Sequence, residues 1–234
     1  MHRFFIDEKF NNNQINPSKK ILHQLTKVLR IQKDEDFVVI QNNKEYLCNL
    51  INEKIILKKE LQEKIINKKI ELILVQSFPK NKKLSIILQK ATEIGVDKIY
   101  LWKTIYSNNL FSDIIKKNER FKKILKEASE QSNRIKIPEL FYLKSIEEIK
   151  FVKSDLLLFF YEKANPITNN IKNYLYDLKK FKRIFIFIGP EGGFSKEEIN
   201  LFELKKAKLV SLGENILRTE TAAIVALALV KYFL

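Results

Sequence analysis

The chain has 234 residues, 45% of them hydrophobic, so it is long enough to bury a substantial core. Its 43 Lys+Arg against 28 Asp+Glu give a net charge of +15. One cysteine, Cys48, excludes a disulfide framework, and with only His2 and His23 a metal site of thiolates or imidazoles is not expected.

Two accounts of the charge stand side by side. Lysine, isoleucine and asparagine are plentiful throughout, as in a chain drifting toward AT-rich codons; alternatively, a +15 protein binds phosphates through counterion release. The surplus is uneven, with 14 basic and 6 acidic residues over 80–136. Only six of the basic residues are arginines, so each raises the question of whether its planar fork is needed. Glycine is scarcer still: five residues where a chain of this length averages roughly sixteen. Four of them, Gly189, Gly192, Gly193 and Gly213, lie close together near the carboxyl end.

In chain order, residues 1–70 read as a small β-rich domain. Ser18 is placed to cap a helix carrying Ile21, Leu22, Leu25, Val28 and Leu29 on one face. Brief strands are expected at Phe37–Ile40, Tyr46–Ile51 and Lys54–Leu57, separated by turns such as Asn42-Asn43-Lys44, a spacing that suits a small barrel. From residue 71 onward the pattern becomes α/β. Five strands are expected, at Ile70–Val75, Ile99–Trp102, Asp155–Tyr161, Arg183–Ile188 and Leu209–Leu212. They alternate with helices: one with Leu84, Ile87, Leu88 and Ala91 inward and Gly95 at its end, another with Phe121, Ile124, Leu125 and Ala128 inward. Strands that are apolar throughout mean a parallel sheet covered on both faces. Residues 163–182 read as loop and helix. The amino-terminal residues lack the long apolar stretch of a signal peptide, and Ala222–Val230 is too short to span a bilayer, so a cytoplasmic protein is expected.

Two glycine loops follow strands at the carboxyl end. The first, Ile188-Gly189-Pro190-Glu191-Gly192-Gly193-Phe194-Ser195, runs into a helix opened by the Ser195…Glu198 capping box, with Ile199 and Phe202 inward. It matches neither phosphate-loop spacing, and Glu191 suits a neutral or cationic ligand. Taken alone it is either a ligand loop or a tight strand–helix connection. The second loop, Leu212 to Thr221, ends in the helix Ala222–Val230, apolar on every side and so expected to be buried on every side. Arg218 and Glu220 stand before that helix, as a structural ion pair or as functional charges.

The strings GPEGGFSKEEI (Gly189–Ile199) and VSLGENILRTETA (Val210–Ala222) closely resemble the RsmE family of SPOUT methyltransferases, which methylate N3 of a uridine in small-subunit (16S) ribosomal RNA. The likeness extends over nearly the whole chain, through Met1–Phe5, His23 with Val28-Leu29-Arg30, Lys90–Val96 and Glu127–Arg134. It implies a PUA-like RNA-binding barrel over 1–70 and a SPOUT domain over 71–234 with a parallel sheet and a deep trefoil knot. It also implies a homodimer, a substrate of 16S ribosomal RNA or the assembled small subunit, and no membrane partner. The implied cofactor is S-adenosyl-L-methionine (AdoMet), held by Phe160, Ile188, Gly189, Pro190, Glu191, Gly192, Gly193, Leu212, Gly213, Ile216, Leu217 and Thr221. Because its sulfonium carries its own leaving group, the reaction calls for no metal. Arg218 is the first choice to stabilise charge on uracil as N3 loses its proton, with phosphate or carboxylate binding as its alternative role. Glu220 or Glu191 would accept that proton or orient Arg218, and Arg134 would reach RNA or the partner's site. Arg3, Arg30, Arg120 and Arg134 would contact RNA. Two departures stand out: Thr104-Ile105-Tyr106-Ser107 replaces a Ser-Glu-Arg-Ser-like run, losing a positive charge, and Lys206-Ala207-Lys208 replaces a Gly-Phe-like turn. The alternatives are a SPOUT enzyme acting on another RNA, or a non-catalytic RNA-binding or ribosome-assembly protein of the same fold.

Overall fold

The computed structural model describes residues 1–32, 35–61, 70–80, 82–107 and 109–234. They form two compact units: Met1–Ile66 with Ser129–Lys136, and Asn67–Ala128 with Ile137–Leu234.

The first unit holds strands β1 (Arg3–Phe5), β2 (Gln14–Ile15), β3 (Phe37–Gln41), β4 (Lys44–Ile51) and β5 (Lys54–Glu60) in one sheet of order β1-β3-β4-β5-β2. β1 joins β3 in parallel and the other pairs are antiparallel. The sequence reading missed β1 and β2, which are too short for an alternating pattern to show. Turns are made by asparagine: Asn12-Asn13, Asn42-Asn43 and Asn52-Glu53 all have φ between +47° and +62°. Both central residues of a type I′ hairpin turn, whose twist matches that of the strands, need that sign. Phe4, Ile15, Leu25, Phe37, Val39, Cys48 and Ile55 fill the core. Burial pushes the Cys48 thiol up to about 12, so it behaves as a small apolar side chain.

The expected helix is interrupted. α1 (Lys19–His23) passes into a π-helical turn over Gln24–Val28. Leu25 is fully buried, but Val28 is 66% exposed, not inward, because the wider turn rotates it off the buried face. Ser18 makes no side-chain cap; instead its backbone N–H donates to Glu8 Oε1 at 3.1 Å.

The second unit is built on six parallel strands: β6 (Glu71–Ser77), β7 (Lys98–Trp102), β8 (Glu139–Leu143), β9 (Asp155–Phe160), β10 (Arg183–Ile188) and β11 (Lys208–Val210), in the order β11-β9-β10-β6-β7-β8. β8 corrects the count of five. It is an edge strand whose first four residues stay exposed or half-buried, so it lacks the continuous apolar signature. In the central strands alternate residues feed two cores. Leu72, Leu74, Leu158, Ile184 and Ile186 face one, and Ile73, Val75, Phe159, Phe185 and Phe187 the other.

The first core is covered by α2 (Lys82–Ile94) through Leu84, Ile87, Leu88 and Ala91 and by α4 (Asn118–Gln131) through Phe121 and Leu125. α7 (Thr219–Phe233) adds Ala223, Ala226, Leu227 and Val230. α3 (Phe111–Ile115) and α5 (Lys172–Leu175) are short. The second core is an aromatic layer closed by α6 (Lys196–Leu204): the Phe202 ring lies 4.3 Å from Phe159 and 4.6 Å from Phe187. α7 is not buried all round within the chain. Its opposite face leaves Ala228 exposed, Ile224, Val225 and Leu229 half-buried, and Tyr232 87% exposed.

Candidate active site

A cavity of about 490 Å³ opens at the carboxyl ends of β9, β10 and β11, where a parallel sheet leaves a crevice between its loops. Phe160, Ile188, Val210 and Leu212 give it apolar walls, and Gly189–Gly193, Gly213 and Asn215–Leu217 complete its lining. The two loops differ in why they need glycine. A Cβ at Gly189 would stand 3.0 Å from the Phe194 ring, and one at Gly192 3.0 Å from Tyr106 Cβ, so space is what those positions lack. Gly213 has nothing within 4 Å of such a Cβ, but its φ is +122°, outside the range that side chains accept. Beyond the first loop, the capping box is present: Ser195 Oγ accepts from Glu198 N–H at 3.2 Å and Glu198 Oε2 accepts from Ser195 N–H at 2.9 Å.

Thr219, 6% exposed and the first residue of α7, ties the loops together. Its hydroxyl donates to the Gly189 carbonyl at 2.6 Å and accepts from Gln76 Nε2 at 3.1 Å. Gln76 is wholly buried and also donates to the Ser77 carbonyl at 2.9 Å. Thr221, which the resemblance offers as a cofactor contact, is exposed and does not line the cavity. The Thr-Glu-Thr spacing was the available signal, and two residues along a helix amount to about 200° of rotation.

A second residue escaped the sequence reading. Lys83, in the first turn of α2, reaches Glu191 Oε1 at 3.0 Å and Glu220 Oε2 at 3.3 Å. The hydrogen bond to Glu191 is the chief cause that holds its ammonium above the ordinary lysine value. Burial works to raise the Glu191 carboxyl, but hydrogen bonds from its own backbone N–H, from Lys83 and from Lys80 N–H outweigh it and hold the group below its usual range. Both carboxylates proposed to orient Arg218 are thus engaged by Lys83. Arg218 lines the cavity at the head of α7, exposed, with no ion pair or side-chain hydrogen bond among the described residues. Of the twelve residues expected to hold the cofactor, all but Thr221 line this one cavity.

The other arginines are placed differently. In the first unit Arg3 is ion-paired with Glu45, its side chain only 10% exposed, which leaves little of its fork to offer a phosphate. Arg30 is exposed at φ +53°, and Arg134 Nε donates to the Lys136 carbonyl at 3.0 Å. In the second unit Arg120 is exposed on α4, with Nη2 3.4 Å from Ser85 Oγ. Among the described residues no cluster of three or more His, Cys, Asp or Glu could hold a metal ion, and no helix is long and apolar enough to cross a membrane.

Comparison with known proteins gives a consistent result. A family described as RNA methyltransferase domain matches residues 66–231. The chain is 34% identical to ribosomal RNA small subunit methyltransferase E of Mesomycoplasma hyopneumoniae, over 96% of each chain. It is 32% identical to the protein of that name from Aquifex aeolicus, over 100% of both. Among solved structures, a putative methyltransferase from Legionella pneumophila in complex with its bound cofactor SAM superposes with a TM-score of 0.84 at 25% identity, covering 98% of this chain and 96% of that one. A ribosomal RNA small subunit methyltransferase E from Neisseria gonorrhoeae shares the fold at a TM-score of 0.84 and 23% identity, over 97% and 95% of the two chains.

Proposed function

The chain belongs to the ribosomal RNA small subunit methyltransferase E family, and from that premise we propose that it transfers the methyl group of AdoMet to N3 of a uridine in 16S ribosomal RNA. The observation that carries the reading is the cavity itself. Two glycine loops, joined through the Thr219 hydroxyl, line it together with Arg218, which has no ion pair among the described residues.

The residues present fit the cofactor. At about 490 Å³ the cavity lies within the usual range for small-molecule sites. Its apolar walls at Phe160, Ile188, Val210 and Leu212 suit an adenine face, and Gly189 and Gly192 keep clear the space that side chains would occupy. When bound, the cofactor supplies an electrophilic methyl group on a cationic sulfonium. Everything else falls to the chain. Arg218, with no competing carboxylate, stabilises negative charge on uracil as N3 is deprotonated. Glu191 is held ionised by Lys83 and the Lys80 N–H and is a weak proton acceptor, while Glu220, the other carboxylate considered, is paired with the same lysine and does not line the cavity. The target base must leave its stack to reach the site.

The remaining parts of the proposal concern architecture. The first unit acts as a PUA-like RNA-binding barrel, with Arg30 and Arg134 contacting RNA; Arg120 and the lysines of 80–136 also contact phosphates. A trefoil knot in the second unit is supported by the sheet order, which sets β10 between β6 and β9 and then carries the chain past β9 to β11. A homodimer is supported by the half-covered apolar face of α7 at Ile224, Val225, Ala228 and Leu229. The protein works in the cytoplasm on ribosomal RNA or the small subunit.

Mass mapping of small-subunit ribosomal RNA from cells with and without the gene tests the reaction. Loss of an N3-methyluridine in the deletion strain is expected, and persistence of every such residue would refute it. Arg218→Ala should abolish turnover while sparing AdoMet affinity measured by calorimetry. Residual turnover with collapsed RNA binding would instead make Arg218 a phosphate anchor.

A further inference from the structure

A second cavity of about 570 Å³, lined by Lys80, Ile105, Tyr106, Ser107, Glu191 and Gly192, lies against the outer side of the first glycine loop. Glu191 and Gly192 line both cavities, so the two flank the same loop. The segment after β7 that forms its other wall is locked in place. Thr104 N–H donates to Ser107 Oγ at 3.0 Å, the two hydroxyls lie 2.7 Å apart, and Lys103 Nζ donates to the Ser107 carbonyl at 2.8 Å. Ile105 N–H is held by Glu198 Oε1 at 2.9 Å, the same buried carboxylate that caps α6. Seven polar or backbone groups are thus committed to holding a loop whose two apolar side chains stay in solvent, Ile105 at 60% and Tyr106 at 50% exposure. The absence of a Cβ at Gly192 is what lets Tyr106 pack against the loop.

We propose that Tyr106, backed by Ile105 and Gly192, is the stacking platform for the nucleobase that accepts the methyl group, with Lys80 beside it for a backbone phosphate. An exposed ring on a rigid support beside a cation is the recurrent means of holding an unstacked base. The ring lies next to the loop that lines the cofactor cavity, so a base resting on it is beside the methyl donor's site. The inference rests on the methyltransferase reading above and adds a specificity element at Thr104–Ser107.

The test compares wild type, Tyr106→Ala and Tyr106→Phe on small subunits purified from cells lacking the gene. Tyr106→Ala should lower kcat/KM for the subunit about ten- to hundredfold, the loss expected for one stacked base. Tyr106→Phe should restore it, and both variants should bind AdoMet as wild type does by calorimetry. Unchanged kcat/KM in Tyr106→Ala would overturn the proposal. So would loss of AdoMet binding in that variant, which would make Tyr106 only a prop for Gly192. A readout without turnover separates this inference from the reaction itself. The one native tryptophan, Trp102, is 4% exposed, so Tyr106→Trp places a second, exposed indole at the platform. Single-stranded oligouridylate should quench its fluorescence saturably, and absence of quenching would overturn the platform. If wild type methylated nothing while Tyr106→Trp was still quenched, the reaction would fall and the platform would stand.

Discussion

Replacing Lys83 by methionine keeps the length of its stem and removes the charge that holds Glu191 and Glu220. The magnitude follows from the geometry. At 3.0 and 3.3 Å each pair carries about 5 kcal/mol of gross Coulomb energy at an effective dielectric of about 20. The side chains are 27%, 23% and 18% exposed, so desolvation and the fixing of a four-carbon stem offset most of that gain. Such a site lies between exposed pairs, worth under about 1 kcal/mol, and buried ones, where loss of one partner costs about 3–5. Lys83→Met should therefore cost about 1–3 kcal/mol, partly because two carboxylates are left facing each other without a cation.

The dependence on pH identifies the cause. Glu191 has a lowered value in the folded protein, so its stabilisation is present above the ordinary carboxylate value of 4.5 and is lost as pH falls through the folded value. Lys83 has a raised value, so its contribution is present below 10.5 and is lost as pH rises through the folded value. The gap between wild type and variant should be widest near neutrality and close at both ends. Urea unfolding of both proteins at about pH 7 and about pH 3.5 measures it. An equal gap at the two pH values would refute the argument and assign the effect to packing of the lysine stem.

Three further outcomes are expected. Thr219→Val strips the Gly189 carbonyl of its donor at nearly constant volume; it should cost about 1–3 kcal/mol in denaturant unfolding and weaken AdoMet binding, with Thr219→Ser restoring both. Gly213→Ala meets no steric obstacle, so its cost is set by φ +122° alone, about 1–3 kcal/mol, and should appear in calorimetry as weaker AdoMet binding. Asn43→Gly in the β3–β4 turn should leave stability within about 1 kcal/mol of wild type, whereas Asn43→Val should lower it by more, since a β-branched residue rejects φ +62°.

What the sequence disclosed depended on how local each signal is. The central strands were legible because both of their faces are buried and each carries an unbroken run of four or more apolar residues, and the Ser195…Glu198 box because its two members lie three residues apart. β8 was not, since an edge strand with half-exposed residues carries no period of its own. Lys83 stands in a run of lysines that differ only in what the fold brings near them, and its partners lie more than 100 residues away in the chain. α7 was expected to be buried on every side; only the face carrying Ala223, Ala226, Leu227 and Val230 packs within the chain, because composition gives the need for burial and not its source.

The glycine scarcity resolves into two separate demands on the backbone. A positive φ can be met without glycine: among the described residues nine that are not glycine adopt it, six of them asparagine, against three glycines. Asparagine tolerates the left-handed region because its short side chain bonds locally, and in the surface turns at Asn12-Asn13 and Asn42-Asn43 a protruding side chain meets only solvent. Even Lys206 takes φ +58°, and its side chain is exposed. Space is a different demand, and no asparagine can meet it. At Gly189 and Gly192 the missing atom would press on Phe194 or Tyr106, and at Gly193 it would lie 2.8 Å from Glu162 Oε1. Gly213, at φ +122°, lies beyond the range where asparagine substitutes. A chain rich in asparagine can therefore dispense with glycine wherever only the dihedral matters. The glycines that remain in the two loops answer either a crowded main chain, as at Gly189 and Gly192, or a φ beyond asparagine's reach, as at Gly213, and four of the five line a single cavity.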